Sequence, residues 1–293
     1  MTAAAEPLIH WPQPLTELAG FLALFLTTGA VALRFAVLRP LRRSAEGDAR
    51  AVAALAARHA ARWALAGAVV LLVQIAFRLP QLAANRHTSV AALLAHDPAT
   101  AVLAVSLIVT FIGFALVVAG ISVGWTLAAL GVLAGPLRAL PFAQWTRLVN
   151  PVHVLAGGAW IGTLFLLLAA ALPAAMAQPV ERREALVARL IHAFSPLALA
   201  SAGVLGVFGV ITAWRHLKHW TALWSTPYGI ALMVKLVVVA AVLALGAWNW
   251  RRIKPRLGAP GGAAALRVSA RAEALAALLV LVITAVLVSL PSP

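Results

Sequence analysis

A chain of 293 residues that is 63% hydrophobic, with mean hydropathy +0.97 and only 11% charged residues, falls outside the soluble class, where about a quarter of residues are charged. Its 23 Lys and Arg against 8 Asp and Glu give a net charge of +15; in a soluble protein this would point to nucleic acid, but in a membrane protein it reports which loops face the cytoplasm. With no cysteine, disulfides, thiolate metal sites and thiol catalysis are excluded, so a metal must be held by His, Met, carboxylate or backbone.

A helix needs about 20 apolar residues to cross the roughly 30 Å hydrocarbon layer. Spans are expected near 15–38, 60–80, 99–118, 121–138, 151–174, 192–213, 227–249 and 270–290. The opening MTAAAEPLIHWPQPL lacks a basic n-region, so the first apolar stretch is read as a retained span. A single helix over 99–138 would be about 60 Å long, so the third and fourth spans are divided near Gly120. The expected fold is all-α, a polytopic membrane bundle of about eight transmembrane helices in two four-helix halves, 1–145 and 146–293. LAGFLALFLTTGA in span one and LAGGAWIGTLF in span five share LAG, and His59 and His192 each precede Ala in spans two and six. A four-plus-four parallel repeat is compatible with that match.

Parity puts the loops after spans one, five and seven on one face. They carry Arg39, Arg42, Arg43, Arg50, Arg58 and Arg62, then Arg182, Arg183 and Arg189, then Arg251, Arg252, Lys254, Arg256, Arg267 and Arg271. The other face has Arg78, Arg86, Arg138, Arg147, Arg215 and Lys218. Fifteen basic residues against six predict basic loops in the cytoplasm and both termini outside. The charge is then a topology signal with anionic-lipid contact, and nucleic acid is not an expected partner.

That orientation sorts the candidate ligands. His87 and His96 fall in the outer loop after span two, His153 at the outer end of span five, and His216 and His219 in WRHLKHW after span six. Imidazole suits Cu(II), Zn and Ni, and His216 and His219 share a helical face if span six continues outward. The competing reading of that loop is a membrane-surface belt, given Trp214, Trp220 and Trp224. His153 opens NPVHVLAGGAWIG, and helical spacing puts it near the face of Gly157 and Trp160, where small residues admit a close helix neighbour. It either anchors that contact or binds something, because burying an ionisable group in a membrane is costly. Lys235 lies about 12 Å inside span seven, on the segment that also carries Tyr228 and Met233. Met233 is a candidate soft ligand for Cu(I), or core filler. Glu17 is a carboxylate at the outer end of span one that could join the histidines. No GxxxxGK[ST], HExxH, CxxC or DKTG-like motif is present, which argues against ATP-driven pumping and covalent haem. No enzymatic role is expected.

The stretches NPVHVLAGGAWIGTLFLLL, HAFSPLALASAGVLGVFGVITAW and ALWSTPYGIALMVKLVVVAAVLALGAWNWRRIKPRL resemble the copper resistance protein D (CopD) family, well over about residues 145–256 and loosely over the first half. Carried onto this chain, the resemblance falls on His153, Trp160, Ser195, Tyr228, Gly229, Lys235 and Asn249. It departs from the family's Gly-His-Ala, where Gly135, Pro136 and Leu137 stand, and from its Arg-Phe-Ser, where Ala193, Phe194 and Ser195 stand. The resemblance implies a bacterial inner-membrane protein that takes copper from the periplasm, often beside a CopC-type periplasmic copper carrier. The expected ion, Cu(I) or Cu(II), would enter a vestibule at His153 and the outer-loop histidines and pass Trp160, Tyr228 and Lys235. Two other readings stay open: a b-type haem cytochrome, which needs axial ligands at matched depth, and an assembly subunit without cargo.

Overall fold

The computed structural model describes residues 11–138, 148–217, 219–257 and 262–291. The described residues form a multi-pass membrane bundle without strands. Its helices are α1 (Gln13–Val37), α2 (Gly47–Asn85), α3 (Pro98–Val118), α4 (Gly124–Leu137), α5 (Val149–Met176), α6 (Val180–Leu217), α7 (Pro227–Trp248) and α8 (Gly262–Ser289). All but α4 are long and apolar enough to cross a membrane. The fourth expected span is the 14-residue α4, about 21 Å of helix. The expected break near Gly120 is a turn in which Gly120 has φ +91°, a left-handed conformation that favours glycine.

Local sequence explains the helix starts. Asp97 caps α3 by accepting from the Thr100 N–H at 3.1 Å, and Thr226 caps α7 by accepting from the Gly229 N–H at 3.0 Å. Each cap precedes a proline whose missing N–H costs nothing there.

α2 and α6 run far past their expected spans, with 39 and 38 residues, or close to 60 Å each. The extension of α2 carries Ala53 and Ala56 and the start of the expected span carries Ala60 and Ala64, all completely buried. Alanine at helical spacing lets neighbouring backbones come close. This ridge joins one core with Leu33 and Val37 at the end of α1, Leu41 just after it, Leu166 and Leu167 in α5, and Leu190 in α6. Asp48 and Glu46 at the start of α2 pair with Arg182 and Arg189 of α6, the latter at 2.7 Å. The connections after α1 and α5 therefore lie at the same end of the bundle.

α1 packs on α2, α4, α5 and α8, while α7 packs chiefly on α8. The C-terminal half of α6 and most of α7 leave large apolar side chains exposed, among them Leu199, Val207, Val210, Leu236 and Val237. The bundle is thus tight at the end bearing the basic loops and open at the other. α5 is interrupted by two π-helical turns, Gly158–Gly162 and Leu167–Ala171; such bulges shift helix phase and occur often at functional sites.

Candidate functional site: a buried imidazole at the open end

His153 lies in the first turns of α5. Its ring rests on α6 at Gly209, where a Cβ would lie 3.2 Å from the imidazole Cε1. The Leu205 backbone, one turn earlier on α6, and the Lys235 ammonium on α7 both act on the ring. The ring therefore lies between α5 and α6, with the Lys235 charge of α7 within electrostatic reach. The Nδ1 atom is buried and has no hydrogen-bond partner. An orphaned buried polar atom needs an explanation, and an absent ion or water is one of the few available.

Two further orphaned polar atoms lie on α5 and α1. Trp160 is 8% exposed, sits inside the first π turn, and its indole Nε1 has no partner; the same is true of Thr28 Oγ1 on α1. A Cβ on Gly158 would lie 3.2 Å from that hydroxyl oxygen, so the Thr28 side chain abuts the α5 backbone.

The expected shared face of His153 and Gly157 resolves into two contacts. The position of a Cβ on Gly157 is 2.9 Å from Phe25 Cζ on α1, whereas His153 lies against α6. Four residues advance a helix by about 400°, and that offset of roughly 40° is enough to divide the two between different neighbours.

The other candidates are dispersed. His216 is exposed, donates from Nδ1 to the Thr212 carbonyl at 2.8 Å and stacks on Tyr228, with ring centroids 6.0 Å apart and planes at 12°. His219 is also exposed but beyond the helix, because α6 ends at Leu217. The face expected to hold His216 and His219 together is therefore not formed. Leu217 turns inward to pack with Ala222, Tyr228, Leu232 and Leu287, which stops the helix from continuing outward. His87 and His96 are exposed in the α2–α3 connection, and His96 Nδ1 donates to the Ala92 carbonyl at 2.8 Å. Met233 is exposed on α7, two residues and more than half a turn from Lys235. Glu17 is partly exposed on the first turns of α1. Among the described residues no three His, Cys, Asp or Glu side chains gather as a metal cluster. Arg147 and Lys218, used in the charge comparison, lie outside the described residues.

A cavity of about 290 Å³ opens on the other side of the α5 N-terminus. Its lining includes Gln74, Arg78, Ser106, Arg138 and Asn150, so its charged groups are guanidinium ions, which repel a cation.

One polar group was not singled out by sequence reading. Glu273 on α8 is only 7% exposed. It accepts from Asn249 Nδ2 at 2.9 Å, and Asn249 Oδ1 in turn accepts from the Ser269 hydroxyl. The available signal was a lone carboxylate, RAEALAALLVLV, entering an uncharged span.

A membrane helix bundle with a buried imidazole at its open end defines a class of multi-pass membrane proteins with an intramembrane polar site. Comparison adds a partial likeness: residues 188–287, about a third of the chain, match the family model of copper resistance protein D. The match runs from the first quarter of α6 through α7 to near the end of α8. It takes in Gly209, Lys235, Asn249 and Glu273 and begins after His153 and Trp160, so it is shifted towards the C-terminus relative to the resemblance over 145–256. No curated protein and no solved structure matches the chain.

Proposed function

We propose that this protein carries copper across the bacterial inner membrane, from the periplasm towards the cytoplasm, through a vestibule at the junction of α5, α6 and α7. The observation that carries the reading is His153 Nδ1, buried and unpartnered against the helix that opens the copper resistance protein D region. In this reading His153 takes the ion, and Trp160, Tyr228 and Lys235 line the passage. Lys235 acts as an electrostatic gate against leak of other cations, since a fixed ammonium repels ions that gain nothing from the imidazole. His216 and His219, with His87 and His96, form a dispersed outer collar that raises local copper concentration. Glu17 and Met233 are auxiliary donors at the rim. The excess of arginine in the loops at the tight end supports a cytoplasmic position for that end. A CopC-type carrier would then deliver to the open, periplasmic end. The role is transport without catalysis.

The test is copper accumulation in cells that produce wild type or His153→Ala at matched membrane abundance. The expected result is loss of most protein-dependent accumulation; wild-type accumulation in the variant removes His153 from the pathway.

A further inference from the structure

We propose that the Ser269–Asn249–Glu273 relay is a proton-binding site that couples proton movement to transport. The proposal rests on the transport reading for its coupling partner but on separate residues for its geometry. Asn249 lies fourteen residues beyond Lys235 on the same helical path, about 21 Å further towards the basic end. Between them α7 presents Val238, Val239 and Val242 to the core, so the relay is a second polar station separated from the first by a dry stretch.

The relay is a built site. Asn249 opens the π-helical turn Asn249–Ile253 at the end of α7. Its amide bridges the two groups: Oδ1 accepts from Ser269 Oγ and Nδ2 donates to Glu273 Oε2. Gly246, one turn earlier, leaves Glu273 Oε1 room, since even a Cβ there would stand 3.8 Å away.

Among the described residues no cation forms an ion pair with the carboxyl group. Of the helices packed on α8, α1 brings Glu17 and Arg34, α5 brings His153, α6 brings His192 and its arginines, and α7 brings Lys235 and the Arg251 and Arg252 that follow it. None of these acts on Glu273 as a charged partner, and neither does Arg267 or Arg271 of α8 itself. Arg34 lies over Trp125 and Arg252 over Trp248, while His192 donates to Ala188. An ionised carboxylate with a single amide donor is expensive inside a membrane, so the resting group holds a proton. The donors are all hard oxygen atoms, which suit a proton and not a soft Cu(I) ion; the site serves a coupling ion instead of the cargo.

In the step itself the carboxyl O–H bond breaks, the oxygen keeps the electron pair, and the proton passes to water at the end bearing Arg251, Arg252 and Lys254. Nothing is oxidised or reduced.

Infrared difference spectroscopy on lipid-reconstituted wild type and Glu273→Gln, between acidic and alkaline buffer, tests the site. The expected result is a protonated-carboxyl carbonyl band in wild type, absent from Glu273→Gln and shifted in frequency by Ser269→Ala, a small change that spares the fold if the glutamine variant does not fold. A wild type without that band at acidic pH overturns the proposal. The same vesicles, with a trapped pH dye and copper(I) added outside, are expected to show copper-driven pH change in wild type and its loss in Glu273→Gln. Copper uptake with the same pH change in both also overturns it. A band without any copper uptake by wild type retains the proton site and overturns the transport reading instead.

Discussion

Gly29 and Gly162 meet backbone to backbone where α1 crosses α5, so closely that a Cβ on Gly29 would lie 2.7 Å from the Gly162 Cα. The Thr163 hydroxyl donates to the Gly29 carbonyl at 3.2 Å beside this contact. A β-carbon on Gly162 would collide with the Phe25 carbonyl. Overpacking of this kind costs about 1–3 kcal/mol. Gly162→Ala is expected to lower the detergent-solubilised melting temperature, and Gly162→Leu to abolish recovery of a monodisperse protein by size-exclusion chromatography. A wild-type melting temperature for Gly162→Ala contradicts the contact.

The Lys235 ammonium of α7 acts electrostatically on the His153 imidazole. Lys235→Met keeps a side chain of similar length without the charge. In proteoliposomes it is expected to raise passive leak of potassium or sodium while retaining copper uptake, because the ammonium repels cations of every kind. Unchanged leak with reduced copper uptake would assign Lys235 to copper handling instead of gating.

Asp97 joins a helix cap to an ion pair: it accepts from the Thr100 N–H, and Arg86 reaches it at 2.9 Å. The Thr100 N–H first, and Arg86 after it, hold the carboxyl below the usual carboxylate range despite its partial burial. A carboxyl whose folded value lies below its unfolded one stabilises the fold at pH above the unfolded value, and that contribution fades as pH falls through the folded value. Asp97→Ala is expected to cost about 1 kcal/mol near neutral pH, on the scale of a lost cap, and to flatten the acid limb of thermal stability against pH. A parallel acid limb in the variant sinks the assignment.

The chain has no cysteine, so single cysteines report accessibility without background. With basic loops inside, a membrane-impermeant maleimide added to intact spheroplasts is expected to label Thr88→Cys and Ser225→Cys. Ala45→Cys and Glu181→Cys are expected to react only after permeabilisation. The Asp48–Arg182 and Glu46–Arg189 pairs place Ala45 and Glu181 at one end, so the two must label alike. The opposite pattern inverts the orientation.

Sequence patterns revealed most of the architecture because hydropathy tracks lipid exposure directly, and Gly120 marked the α3–α4 turn through the one conformation glycine favours. The overrun of α2 was hidden because Ala53, Ala56, Ala60 and Ala64 look the same whether they face lipid or a protein core. Only the partner surface, on the loop-side ends of α1 and α5, decides. His153 stood out as an imidazole in an apolar run, but its position against Gly209 depends on tertiary packing 56 residues away in the chain. His216 and His219 were paired by helical spacing until Leu217 turned the chain. Glu273 went unnoticed because its meaning comes from Asn249 and Ser269, neither of which is ionisable.

The alanine-packed end makes the bundle resemble a fork clamped at its base. α6 is held near Leu190 and Phe194 and stands largely uncovered beyond them, so displacement along it grows with distance from the clamp. Gly209 is 15 residues past Phe194, about 22 Å of helix; a tilt of roughly ten degrees there moves the glycine by about 4 Å. In the proposed transport reading, the seat of the His153 ring is therefore a place where a small angular change would open a gap about one water molecule wide, while the buried leucines at the base scarcely shift.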